Sequence, residues 1–413
     1  MNESNSGLRT IREAVYRVLN LGADDLWAVD YLVCLSVINT WSEDPEPVWG
    51  FLCGPPGSAK TELLRMLEGW RYAVFVDELT ENSLASGHKD PDSDEDPSLL
   101  PQLNGKLLVA RDFSTHSSQT EQTLAKILGQ LRAAYDGTYS KWSGSAGKRE
   151  YRCKFGFIAA TVPEIDRFIS KHQKLGERFI FLRLHREASV AYHRRLRQIS
   201  HVMRMMKNKA HWRSDLRSIT HLNLDRIRES CRNIRPSDIR MSDPQAELLW
   251  NLSDVVSRLR TRPGDDHPVE PEVASRLVQQ FANMAYARAA SESRLYLNQS
   301  DEQFVARLAV DSLPTDIRRM IMTLWFFQDL PISRNQLKES SGLPLSTIAR
   351  QVDQWLFISI LREENKKIVL HPDTVSEILK GALLPPPGAK EQATLFQELP
   401  PETPEDLGMV TAD

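Results

Sequence analysis

The segment Gly54-Pro55-Pro56-Gly57-Ser58-Ala59-Lys60-Thr61 gathers the residue types that hold a triphosphate. Glycines let backbone N–H groups approach phosphate oxygens, a lysine meets the β- and γ-phosphates, and the hydroxyl beside it ligates Mg²⁺. On this reading Gly54, Pro55, Gly57, Ser58, Ala59, Lys60 and Thr61 bind ATP, with Thr61 on the metal. The general pattern has glycine where Ala59 stands. A methyl there needs only a compatible backbone angle and leaves the phosphate-binding N–H groups untouched. Two acids compete to complete the Mg²⁺ site. Asp77-Glu78 closes an apolar run in the literal form, but Asp77 lies only 17 residues after Lys60, room for a single helix. Asp112 ends KLLVARD, 52 residues after Lys60, and is the second candidate.

Short apolar runs and intervening helices must position these groups. The runs are VWGFLC (48–53), YAVFVD (72–77), KLLVARD (106–112), FGFIAAT (155–161) and FIFLRLH (179–185), and their alternation with helices predicts an α/β parallel sheet. The phosphate loop leaves the first run and opens a helix expected over TELLRMLEGW. Two helices are expected over residues 8–42, with Asp24 or Asp25 capping the second. Residues 187–300 read as wholly helical, broken at Pro263-Gly264-Asp265-Asp266. A helix over VEPEVASRLVQQFANMAYARAA carries a proline in its opening turn.

Here the chain resembles the AAA+ ATPases, for which GPPGxxKT is the habitual phosphate loop. Alanine before the lysine is similar to loops of the MoxR-like and minichromosome-maintenance branches. The resemblance covers about residues 25–300 and is specific at superfamily level. It implies that Asp112, on the third strand, is the Walker B acid. It implies that Thr161, ending the fourth strand, is the polar sensor that orients water, and that Gly176-Glu177-Arg178-Phe179 is the arginine-finger box. Arg178 would then reach the γ-phosphate bound to a neighbouring subunit, making the active form a ring or spiral. Arg276 is the candidate for the second sensor. Such proteins usually follow the Walker B Asp with a catalytic Glu; here Phe113 follows, and Glu78 on the neighbouring strand is the candidate substitute.

Tyr139–Trp142 and Glu150–Lys154 can pair around a Gly-rich turn at 143–147. The resemblance places a pore-facing hairpin at this point, so that Lys148, Arg149, Arg152 and Lys154 face DNA phosphates while Trp142 stacks. Residues 311–380 read as a winged helix-turn-helix. Leu337, Ile348, Val352 and Trp355 form its buried stripe; Ser346, Thr347, Arg350, Gln351 and Gln354 lie outside on a candidate recognition helix; and the wing turns at 363–367. The expected organisation is therefore a helical segment at 1–46, an AAA+ core at 47–186, a helical lid with a basic region at 187–300, the winged helix, and an acidic, proline-rich, disordered tail at 381–413.

Composition bounds these readings. With 413 residues, 26% charged and 41% hydrophobic, the chain is not wholly disordered. Its four cysteines form no CxxC pair, against a zinc cluster or disulfide framework. No signal-peptide core and no run near 18 apolar residues is found, so a cytoplasmic, non-membrane protein is expected. The net charge of −3 conceals segregation: residues 186–235 hold thirteen Arg/Lys against four acids, whereas residues 90–96 hold five acids. A basic face of that kind suits DNA, and the leading expectation is an ATP-dependent, DNA-engaging helicase, helicase loader or initiator-like ATPase, of the sort found in phage or mobile-element replication. The rivals are a MoxR-like remodeller acting on a protein partner, and a slow ATP-gated switch.

Overall fold

The computed structural model describes residues 6–41, 46–86, 96–113, 121–143, 147–167, 178–184, 192–264, 267–327 and 330–384. The acidic run before Asp96, Gly176-Glu177 and the tail from 385 lie outside these residues. The apolar runs fold as strands β1 (Trp49–Cys53), β2 (Ala73–Val76) and β3 (Leu107–Ala110), followed by β4 (Thr138–Ser143), β5 (Gly147–Arg152), β6 (Gly156–Thr161) and β7 (Phe179–Arg183). Strands β4 and β5 pair only with each other. The remaining five form an all-parallel sheet in the order β2-β3-β6-β1-β7. The fourth core strand thus inserts between the first and third, with Cys53 beside Thr161.

Alternation along the strands supplies two buried faces. Trp49, Phe51, Phe157, Phe179 and Phe181 point to one face, where they pack with Phe113 and Tyr135. Helix α5 (Glu121–Tyr135) covers that face through Ile127, Leu128 and Leu131. The other face takes Leu52, Val109, Ile158 and Leu182 and is covered from the N-terminal side of the chain. There α1 (Gly7–Leu19) precedes α2 (Trp27–Val37), whose residues after Trp27 are all buried. Gly50 makes this approach possible: a Cβ there would lie 1.7 Å from the Tyr31 hydroxyl, which donates to the Ile180 carbonyl at 2.9 Å. Neither Asp24 nor Asp25 caps α2; both sit in a 3₁₀ turn over Ala23–Leu26 that leads into it.

The first helix after the phosphate loop, α3 (Lys60–Arg65), is shorter than expected. It tightens at once into i→i+3 bonds, Leu67 N to Leu64 O and Glu68 N to Arg65 O. The short α4 (Leu100–Leu103) precedes β3. Beyond β7 come α6 (Tyr192–Met206), α7 (Lys209–Cys231), α8 (Asp243–Arg260), α9 (Ser275–Ser291) and α10 (Gln299–Asp311). Helix α9 begins at Ser275, so Pro271 stands before it and not in its opening turn. Asp30, fully buried, bridges Arg12 at 3.0 Å and Arg288 at 3.0 Å, and Arg288 reaches Asp301 at 2.7 Å; one ionic cluster thereby ties α1, α2, α9 and α10.

The β7 edge is closed by side chains of α10 and the residue after it. Asp311 accepts from Arg183 N at 2.9 Å, Ser312 from Phe181 N at 3.0 Å, and Arg307 donates to the Arg183 carbonyl at 2.8 Å.

The C-terminal unit contains α11 (Thr315–Phe326), α12 (Arg334–Ser341), α13 (Leu345–Phe357), the antiparallel pair β8 (Leu361–Glu364) and β9 (Lys367–Leu370), and α14 (Pro372–Lys380). Its signals are local and mutually consistent. Ser333 and Gln336 form a capping box, Gly342 ends α12 at φ 68°, and Leu337, Ile348, Val352 and Trp355 are all fully buried. The hairpin turns on Asn365-Lys366, both at positive φ, as a two-residue turn of the twist-matched kind requires. Among the described residues no helix is long and apolar enough to cross a membrane.

Candidate functional site

At the carboxyl end of β1 the chain turns abruptly, with Gly57 at φ 80° and Ala59 at φ 62°. For Ala59 this is the left-handed region, where a Cβ costs about 1 kcal/mol; the departure from glycine is therefore tolerated with strain. The turn brings the Lys60 ammonium along the inner rim of the loop, donating to the carbonyls of Gly54 at 2.6 Å and Pro55 at 2.8 Å. Burial lowers the affinity of Lys60 for its proton, and Cys53, Asp112 and Glu164 oppose that effect. Cys53 itself is no nucleophile at neutral pH, since burial pushes its thiol up to about 11.

Beside the loop opens a cavity of about 390 Å³. Gly57 to Glu62 form its polar wall. Val18, Leu19 and Leu21, at and just beyond the end of α1, face Val202, Met205 and Trp212 across the rest. His201 joins the two sides, its Nε2 lying 2.8 Å from the Val18 carbonyl. A polar loop set against an apolar slot suits a phosphate chain attached to a flat base. Thr61 lies exposed at the start of α3, and Asp112 is exposed just beyond β3.

The sheet brings some of the expected residues together and separates others. Thr161 is buried, in register with Cys53, and its carbonyl accepts from Gly54 N at 3.2 Å. Asp112 follows β3, on the far side of β6 from the loop. Phe113, whose N–H donates to Ala160 O at 2.7 Å, is buried against Phe51 and Phe157. Glu78 follows β2, the far edge strand, three strands from the phosphate loop. Its neighbour Asp77 pairs with Arg111 at 3.1 Å, which also holds Glu68 at 2.7 Å. Glu164 went unrecognised in the sequence. It stands in the turn directly after β6, and the available signal was an acid three residues beyond the expected sensor Thr161.

Arg178 and Arg276 occupy the opposite edge of the sheet. Their guanidiniums lie 5.5 and 5.9 Å from the centroid of the same Tyr135 ring, whose hydroxyl donates to Pro47 O at 2.7 Å, just before β1 begins. Burial, and then the nearby Arg276, lower the pKa of Arg178. Arg276 thus stands with Tyr135 at the amino edge of the sheet, whereas the Gly54–Thr61 loop leaves the carboxyl end of β1.

The hairpin forms with a shorter turn than expected: Trp142 pairs with Lys148, Lys141 with Arg149 and Tyr139 with Tyr151. Its two faces differ. Trp142, Lys148, Glu150 and Arg152 are exposed, with Lys148 paired to Glu150 and 6.0 Å from the Trp142 ring centroid. Arg149 points the other way, to Asp96 at 2.8 Å, and Lys141 reaches Ala85 O at 2.7 Å. Arg149 is therefore an anchor of the ribbon, and Lys154 falls after β5. The basic run is also partly spent on pairing: Arg213 binds Glu62, Arg217 binds Glu68, and Arg228 is buried against the Tyr72 ring.

The expected exposure of Gln351 and Gln354 is overturned. The segment between α8 and α9 straps across this face of α13. Gln351 donates to Thr261 O at 3.0 Å, and the Gln354 amide makes both bonds to the Val269 backbone, at 2.7 and 3.0 Å. Arg262 clamps the strap to Asp316 at 2.7 Å. Ser346 and Arg350 stay exposed and Thr347 is half-buried. Polar residues on a helix face read equally as a ligand surface or as a docking seam, which is why the sequence misled. Compared with known proteins, the chain matches no family model and no curated sequence.

Proposed function

We propose that this chain is an ATP hydrolase of the AAA+ kind that couples nucleotide turnover to movement on DNA. The observation that carries the reading is the loop of Gly54–Thr61 at the end of β1, opening on an apolar slot, with Thr161 ending the adjacent strand β6 and Asp112 following β3 one strand further on. Lys60 would hold the β- and γ-phosphates, Thr61 and Asp112 the Mg²⁺, and Thr161 the attacking water. The metal would supply charge neutralisation at the phosphates. Subunits assembled head to tail would bring Arg178 of one to the ATP of the next, after its release from the Tyr135 ring. Trp142, Lys148 and Arg152 on the open hairpin face would meet DNA by stacking and by phosphate contacts.

One observation favours a second role for the C-terminal unit, which we read as a winged helix. Its α13 face is partly covered by the strap, so docking of a protein partner fits it better than reading of base edges. The test is steady-state ATP hydrolysis at low salt, titrated with single- and double-stranded DNA, with Lys60→Ala as the blank. Several-fold stimulation that fades as salt rises supports the DNA motor. Hydrolysis indifferent to DNA supports a remodeller of protein partners, and ATP binding without turnover supports a switch.

A further inference from the structure

Phe113 occupies the position where a water-activating acid would follow Asp112, and it is buried among aromatic rings. Another carboxylate must do that work if the site hydrolyses ATP. Neighbouring strands lie about 4.8 Å apart, so the distance to the phosphate loop grows with each strand crossed. Glu78 follows β2, three strands from β1 or roughly 14 Å sideways. Glu164 follows β6, which is hydrogen-bonded directly to β1.

The turn that carries Glu164 is rigid. Ile165 N bonds Val162 O at 3.1 Å, Asp166 N bonds Pro163 O at 3.1 Å, and Arg167 N bonds Glu164 O at 3.1 Å. The Ile165 side chain is buried. Asp166 is held by both guanidinium nitrogens of Arg183, at 2.7 and 3.1 Å, and accepts from Thr315 Oγ1 at 2.7 Å. Glu164 itself is exposed, and its charge is felt by Lys60 together with that of Asp112. The fold therefore pins the turn that holds Glu164 at the carboxyl end of the strand adjacent to β1 and leaves its carboxylate exposed, close enough for its charge to act on Lys60.

We propose that Glu164 is the general base of ATP hydrolysis, in place of the acid that Phe113 displaces. The water oxygen bonds to the γ-phosphorus and the bond from that phosphorus to the β–γ bridging oxygen breaks. Its electron pair leaves with ADP, and a proton of the water passes to Glu164. This inference rests on the ATPase reading above.

The test compares Glu164→Gln, Glu164→Asp and Glu78→Gln in the full-length protein, with a fluorescent ATP analogue to measure binding. For Glu164→Gln, kcat falls about 10²-fold or more, the size expected for a lost general base. Its nucleotide Kd and melting midpoint stay at wild-type values, because the side chain is exposed. Glu164→Asp recovers part of the rate, and Glu78→Gln loses less rate than Glu164→Gln; the reverse order overturns the proposal. Wild-type kcat in Glu164→Gln overturns the proposal while leaving the ATPase reading intact. So does a loss of nucleotide binding equal to the loss of rate, which would make Glu164 a binding residue only. Wild-type turnover no greater than that of Lys60→Ala overturns both.

Discussion

At the carboxyl edge of the sheet Lys60 lies within reach of the charges of Asp112 and Glu164, whereas at the amino edge Arg178 and Arg276 share the ring of Tyr135. The first edge offers a lysine, carboxylates and a cavity; the second offers two arginines, and burial, then the nearby Arg276, lowers the pKa of Arg178. Arginines stand at the carboxyl edge too, but Arg183 is paired with Asp166 and Arg111 with Glu68 and Asp77. A triphosphate seated at the carboxyl edge carries γ-phosphate charge that no arginine of the proposed site in the same subunit neutralises, and the amino edge concentrates positive charge that an anion would relieve. Strands of only four to six residues separate the two edges by about 15–20 Å, too far for one side chain to cross. On the proposed ATPase reading, copies would meet head to tail, an arrangement that closes into a ring or continues as a spiral.

The largest effect tests that complementarity directly. Lys60→Ala and Arg178→Ala should each reduce ATP hydrolysis by about 10³-fold, the scale of an arginine finger or more. Only the first should abolish nucleotide binding. Mixed in equal amounts under conditions of assembly, the two inactive proteins should recover activity, because about a quarter of random interfaces pair an intact loop with an intact arginine. Mixtures that co-assemble yet stay inactive would show that Arg178 does not act across a subunit boundary. A smaller effect is expected at the second arginine: Arg276→Ala should lower the rate about tenfold, by loss of one charge from the amino edge. If Arg276 served its own chain's nucleotide, the substitution would weaken ATP binding by the isolated subunit. The placement beside Tyr135 predicts an unchanged Kd.

The two edges were unequally legible in the sequence. The Gly54–Thr61 loop stands out in the sequence because its residue types are contiguous: one turn supplies glycines, lysine and threonine. The five core strands were equally plain, since parallel strands buried on both faces appear as short apolar runs bounded by polar residues. The C-terminal unit followed from a buried stripe and a turn pattern that depend on near neighbours alone. What escaped depends on long-range contact. Arg276 was assigned by resemblance, and its true neighbour Tyr135 lies about 140 residues away. Gln354 has the same signature whether it faces solvent or pairs with Val269. Glu164 could be singled out only once the strand order had shown which turn adjoins the loop.

Ala59 gives the smallest and most local test of the carboxyl edge. Its φ of 62° demands the left-handed conformation that glycine adopts freely, while Gly57 two residues earlier already meets the same demand without a side chain. Ala59→Gly removes the Cβ strain, worth about 1 kcal/mol, but also gives the unfolded chain more freedom, which offsets part of the gain. The net expectation is a rise in unfolding free energy of about 0.5 kcal/mol, read from urea midpoints at constant m-value. Nucleotide affinity should hardly change, since the loop N–H groups keep their directions. A loss of stability would mean that the methyl contributes packing exceeding the strain it imposes. A marked change in ATP affinity at unchanged stability would mean that the strain itself tunes the loop, making the edge that binds nucleotide a stressed element and not merely a tolerant one.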